Sequence, residues 1–192
     1  MSSTISLKDR QTDATQKLII SKAVDLLESE GVNATTARAV ARRAGISERT
    51  IFRYYASRDE LLDAIAAEVV NRVRTPPPPG TIAELLEYAD PLYRCFEQWS
   101  PLLRAALHTD VSNRVRATVG ETRWHATHEL IDQHAPHRSE SDRRIAATNI
   151  NYYLSASTWA YYRTQFDFSL DDAIAAARWA IRSTIDNISA RA

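Results

Sequence analysis

Residues 35–62 read TTARAVARRAGISERTIFRYYASRDELL, and the fold turns on this stretch. Thr35 or Thr36 offers a side-chain oxygen to cap a short helix whose Val40, Ala41 and Ala44 face inward. Gly45 stands where the chain reverses and a residue free to adopt positive φ is needed. Ser47 caps the next helix, and Glu48 in its first turn suits the positive end of the helix dipole. Ser57-Arg58-Asp59-Glu60 then forms a capping box ahead of the apolar run Leu61, Leu62 and Ile65. The order is helix, glycine turn, helix, and the start of a longer helix reaching about Arg74.

Charge sharpens the reading. Residues 35–58 hold six arginines (38, 42, 43, 49, 53 and 58) against the single acid Glu48, a net +5. The 192-residue chain carries 24 Lys+Arg and 24 Asp+Glu, so everything outside that stretch sums to −5. Overall neutrality excludes a uniformly basic chromatin-type protein, but not a local basic patch. A basic excess on a helix-turn-helix is the electrostatic footprint of a duplex-DNA binder. Arg49 and Arg53 lie four apart and hence on one helix face, and guanidinium matches guanine O6 and N7 in the major groove. Ser47, Thr50, Tyr54 and Tyr55 supply donors for phosphate, with Ile51 as the apolar anchor. Glu48 either accepts from a cytosine amino group or only balances the dipole. Arg42 and Arg43 read as solvated or phosphate-facing.

Working outward, Ile20, Ala23, Val24 and Leu27 mark a first helix from about Asp13 to Glu30, with Gly31 at its C-terminal cap. Thr75-Pro76-Pro77-Pro78-Pro79-Gly80 ends the fourth helix in a stiff extended link. Beyond it the helical stripe of Ile82 to Phe96 carries an expected kink at Pro91. Further helices are expected from Ser100, from Asn113 to Gln133, from Ser139 to Phe166, and from Asp171 to Ile188. The expectation is an all-α fold of nine helices. Its parts are a head over 1–57, a connecting helix over 58–75 that is the only covalent lever, and a helical domain over 76–192.

Composition agrees, with 29 Ala but only four Gly and seven Pro. The glycines at 31, 45, 80 and 120 are too scattered for a phosphate loop, and Gly-x-Ser-x-Gly is absent, so no enzyme is expected. One Cys rules out a disulfide framework and a four-Cys zinc site and suits a reducing compartment. Met1 to Asp13 is polar, and no apolar run approaches the roughly 18 residues of a membrane span.

Residues 35–62, together with the first helix from Leu18 to Gly31, resemble the DNA-binding domain of TetR-family transcriptional regulators. The likeness covers about the first 75 residues; beyond them only helix count, length and lack of motif match. It implies a homodimer whose recognition helices, about Ser47 to Tyr54, enter successive major grooves of an operator. The expected DNA-binding residues are Thr36, Arg38, Ser47, Glu48, Arg49, Thr50, Phe52, Arg53, Tyr54, Tyr55 and Arg58. Thr36 and Arg58 are the phosphate contacts at helix starts. Phe52 stands where the family commonly has Tyr, Tyr54 where it has His, and Tyr55 where it has Phe; these departures bear on operator sequence.

The resemblance also implies a small-molecule effector in the C-terminal part. Tyr88, Phe96, Trp99, Trp124, His128, Tyr152 and Trp159 are its candidate contacts, with Tyr153, Asn149 and Asn151 in the same region. On the last helix Leu170, Ile174, Ile181, Ile185 and Ile188 form one stripe, and Ala173, Ala176, Ala177, Ala180 and Thr184 a second. The small-residue stripe points to a dimer through the last two helices. The rival reading rests on five histidines at 108, 125, 128, 134 and 137. A metal sensor or metalloenzyme could use His125 and His128, three apart, although no third ligand is evident. No cofactor is expected. The whole reads as a cytoplasmic, nucleoid-associated repressor released from its operator by a small molecule.

Overall fold

The computed structural model describes residues 7–107 and 109–190, with side chains from residue 11; residues 1–6, His108 and residues 191–192 lie outside the described residues. Among the described residues the chain is all helical: α1 (Leu7–Glu30), α2 (Ala37–Ala44), α3 (Glu48–Tyr54), α4 (Arg58–Val73), α5 (Ile82–Glu87), α6 (Ala89–Gln98), α7 (Ser100–Ala106), α8, α9 (Glu140–Tyr153), α10 (Ala156–Gln165) and α11 (Leu170–Ser189). Helix α8 runs unbroken through Asp110–Val115, a π-helical stretch Arg116–Gly120, and Glu121–His134. That makes eleven helices rather than the nine expected.

Two expected helices are split. The stripe from Ile82 breaks at Tyr88, not at Pro91. Pro91 falls in the first turn of α6, where a missing N–H costs nothing. The helix expected from Ser139 to Phe166 breaks at Leu154 and Ser155. Ser155 accepts from the Thr158 amide at 3.1 Å, and Thr158 Oγ1 donates to the Tyr152 carbonyl at 2.5 Å. Hydroxyls that satisfy backbone groups in this way compete with helix continuation.

The chain forms two compact units, 1–72 with 105–115, and 73–104 with 116–192. It therefore passes between them three times, and α4 is not the only covalent link. In the first unit Ile19, Ala23, Val24 and Leu27 of α1 are buried, as are Val40, Ile51, Leu61, Leu62 and Ile65, with α2 against both α1 and α3. Ile19, rather than the neighbouring Ile20, is the fully buried member. Each such Val, Leu or Ile side chain contributes about 1.5–3 kcal/mol on burial. In the second unit α9 lies against α8 and α11, and α11 against α6. Ile174, Ile181, Ile185 and Ile188 point into this core together with Ala173 and Ala177. That leaves Ala176, Ala180 and Thr184 half-buried, a narrower small-residue stripe than expected.

Candidate nucleic-acid interface and effector region

The turn that presents α3 is fixed by short-range bonds. Thr36 Oγ1 caps α2 by accepting from Ala39 N–H at 3.2 Å. Gly45 closes α2 at φ 69°, its N–H pointing back to the helix carbonyls. Ser47 Oγ then caps α3 from Thr50 N–H at 3.1 Å and lies 2.8 Å from Thr50 Oγ1. Ile51, 1% exposed, seats α3 on the core. The start of α4 varies the capping box: Ser57 Oγ accepts from Glu60 N–H, while Glu60 Oε2 accepts from Ala56 N–H at 2.8 Å instead of from Ser57.

This frame leaves Arg38, Ser47, Glu48, Arg49, Arg53 and Arg58 exposed, as is Thr36, and Thr50 half-buried. Phe52 is 49% exposed on the outer side of α3. A shallow groove lined by Ser47, Arg49, Thr50, Phe52 and Arg53 runs along the outer face of α3. Arg53 reaches across Tyr54, its guanidinium 5.0 Å from the ring centre and donating to the hydroxyl at 3.3 Å. A bond with Thr15 of α1, and then Arg53, hold the Tyr54 phenol below its ordinary pKa. Tyr55 is different: it is buried, and burial pushes its phenol up. Its ring therefore serves the core of the unit. Arg58 Nη1 reaches the Thr35 carbonyl only loosely, at 3.5 Å.

Two pairings were not foreseen. Arg43 is paired with Glu30 of α1 at 2.8 Å, so one of the six arginines has an acidic neighbour from outside residues 35–58. Arg114 spans Asp59 and Asp63 of α4, each at 2.6 Å, bracing the first turns of that helix. Sequence separations of 51 and 55 residues give no local signal for it.

In the second unit the candidate effector residues fall into separate groups. Trp159 is fully buried, its ring 5.9 Å from Phe96, and Phe96 lies 6.1 Å from Tyr93. Trp159 Nε1 donates to Glu97 Oε2 at 3.1 Å, and Arg163 binds both oxygens of the same carboxylate at 3.2 and 3.0 Å. The Arg163 bonds hold the Glu97 carboxyl below its usual range. Tyr88 is buried and donates to the Pro76 carbonyl at 2.6 Å. Trp99 is half-buried. Trp124 and His128, both half-buried, face each other at 5.3 Å. Tyr152 is 61% exposed and leans on Tyr153, so it belongs to a surface rather than an interior. Asn149 is exposed, and Asn151 bonds to the Ala147 carbonyl.

Among the described residues the histidines do not converge. His125 turns to Glu121, a turn before it, while His128 Nδ1 meets Asp132, a turn after it, at 3.2 Å. His134 lies against Ser189. No group of three His, Cys, Asp or Glu able to hold a metal is found among the described residues, and nothing supports the metal-sensor alternative.

A glycine turn, paired caps and an outward-facing arginine helix define a helix-turn-helix domain. Residues 19–65 match the family model described as bacterial regulatory proteins of the tetR family. Over these residues the chain is similar to the helix-turn-helix domain of tetR-family regulators. An uncharacterised HTH-type transcriptional regulator, YdeS of Bacillus subtilis (strain 168), is 28% identical over 83 residues. That match spans 43% of this chain and 42% of the relative. The whole fold is similar to a putative transcriptional regulator of Pseudomonas aeruginosa PAO1, with TM-score 0.65, 16% identity, and 91% and 92% of the two chains covered. It is similar also to a tetR-family transcriptional regulator of Streptomyces coelicolor, with TM-score 0.64, 14% identity, and 92% and 82% covered. Among the described residues no helix is long and apolar enough to cross a membrane.

Proposed function

We propose that the chain is a homodimeric, ligand-responsive transcriptional regulator, a cytoplasmic and nucleoid-associated repressor that a small molecule releases from its operator. The carrying observation is the exposed pair Arg49 and Arg53 on a capped helix that Ile51 seats. Guanidinium groups held outward on one face of a short helix suit guanine edges in a major groove. Thr36, Arg38 and Arg58 flank that helix from the starts of α2 and α4, where phosphates would lie. The head spans about 1–57, α4 connects, and the remainder carries effector and dimer functions; nothing in this division calls for catalysis.

The dimer face proposed here uses α9 and α11. Trp179 is 74% and Ile145 57% exposed, and a groove between the two helices is edged by both together with Ala180 and Thr184. Large apolar side chains beside small residues suit close packing of a second copy. The release signal travels along α8, whose Arg114 holds Asp59 and Asp63 beside Arg58 and whose next residues form the π stretch. π stretches in helices frequently mark functional positions.

Selection of bound genomic fragments by the full-length chain, followed by anisotropy on the recovered duplexes, tests the reading. The expected result is recovery of one pseudo-palindromic sequence with half-sites about 34–36 Å apart. Recovery of unrelated fragments, bound with equal strength, would refute it.

A further inference from the structure

Along the inner face of α8, Arg123, Thr127 and Ile131 recur every four residues, and Thr127 and Ile131 are completely buried. A line of aliphatic side chains would suit such a face; this one carries a guanidinium and a hydroxyl. Arg123 Nη1 donates to the Leu154 carbonyl, at the end of α9, at 2.8 Å. The group has five N–H donors, and no carboxylate pairs with it among the described residues. Burial pushes its pKa down.

Thr127 adds an independent observation. Thr15, Thr148, Thr164 and Thr184 each turn the hydroxyl back to the carbonyl four residues earlier in their helices. Thr127 does not: its Oγ1 is enclosed and has no hydrogen-bond partner among the described residues. A buried hydroxyl without a partner is costly, and so is a half-buried cation without an acid. One turn apart on one face, both costs are relieved by the same ligand, a singly charged acid.

We propose that Arg123 and Thr127 form the recognition point for the carboxylate of an acidic small-molecule effector. The guanidinium fork takes both carboxylate oxygens, and the Thr127 hydroxyl donates to one of them. One cation and one hydroxyl balance a single negative charge, which favours a carboxylate over a doubly charged phosphate. This assignment rests on the reading of the chain as an effector-responsive regulator and supplies the chemical class of that effector.

The test is calorimetry on the full-length chain without DNA, using benzoate, phenylacetate and octanoate, each beside its primary amide, and inorganic phosphate. At least one acid is expected to bind, its amide at least about tenfold more weakly. Arg123→Met should weaken that acid about tenfold to a hundredfold, and Arg123→Lys less. Thr127→Val, nearly the same shape, should cost about threefold to tenfold, which keeps the test open where Arg123→Met fails to fold. An amide equal to its acid, an Arg123→Met chain that binds as the wild type does, phosphate binding in place of the acids, or no binding by any of the three acids overturns the assignment. A chain that binds an acid but no specific duplex refutes the regulator reading instead, so the two failures are distinguishable.

Discussion

Removing Arg58 should change how the operator complex responds to salt, whereas removing Arg49 should change which sequence is bound. Arg58 is exposed at the start of α4 and held only by a 3.5 Å bond to the Thr35 carbonyl, so it is available to a phosphate. Each phosphate neutralised on a duplex contributes about 0.9 to the slope of log K against log salt. Arg58→Ala in a dimer removes two such contacts and should flatten the slope by about 1.8. Between about 50 and 200 mM salt, the gap between wild type and variant should therefore close by roughly tenfold. The variant should weaken all sequences alike. Arg49→Ala instead should cost about 1–3 kcal/mol of discrimination at its base step. Arg43 supplies the control, because Glu30 at 2.8 Å already satisfies it; Arg43→Ala should leave the slope nearly unchanged. Salt-titrated fluorescence anisotropy on cognate and scrambled duplexes reads all three variants. Equal slope changes for Arg43→Ala and Arg58→Ala, or equal loss of discrimination for Arg49→Ala and Arg58→Ala, would show that the exposed arginines do not have the separate roles assigned to them.

Other consequences follow from single positions. Gly45→Ala should destabilise the first unit by about 1–2 kcal/mol, because φ is 69° while an added Cβ meets nothing within 4 Å. Urea denaturation checks this, and an Ala variant as stable as wild type would mean that the turn relaxes freely. Glu97 is held below its usual pKa, so its pairing with Arg163 stabilises the fold fully above about pH 4.3 and fades as pH drops through the lower folded value. Its side chain is 31% exposed, so Glu97→Gln should cost no more than about 1 kcal/mol at neutral pH, and the difference from wild type should vanish in acid. Melting curves from pH 7 to pH 3 decide it; a gap that stays constant across that range contradicts the assignment. Trp179→Glu puts a charge on the proposed dimer face and should shift sedimentation toward monomer, while an unchanged dimer would move the interface elsewhere.

The parts legible in the sequence are those fixed within a few residues. Thr36, Ser47 and Ser139 cap helices where their spacing says they should, and Gly31 and Gly45 take positive φ where helices end. Such bonds reach two or three residues and leave a mark on composition. Breaks produced by competing hydroxyls are harder to read: Ser155 and Thr158 look like ordinary members of a helix until Thr158 turns to the Tyr152 carbonyl. Neighbouring aromatics are ambiguous for another reason. Phe52 and Tyr55 sit on one short helix, and tertiary packing alone decides that the tyrosine goes inside and the phenylalanine out. The Arg114 brace and the Arg123–Leu154 bond join residues far apart in the chain, beyond the reach of any local pattern. Even so, the four-residue spacing of Arg123, Thr127 and Ile131 was available as a signal, a polar pair on a face that Ile131 marks as inward.

The charge distribution links the two activities proposed for the chain. A strongly basic protein attracts any duplex and repels its own copies; this one has a formal charge of zero and a pI near 7.0. Two copies can therefore meet through the face around Trp179 without a long-range Coulomb barrier. The local +5 of residues 35–58 still orients the head toward phosphate at short range, within a Debye length of about 8 Å in physiological salt. Arg43 withdraws part of even that charge into its pair with Glu30. On the proposed reading, non-specific affinity is thereby kept low, and preference among sites would rest on the exposed Arg49 and Arg53. It would rest equally on simultaneous engagement of two heads, which the proposed dimer provides.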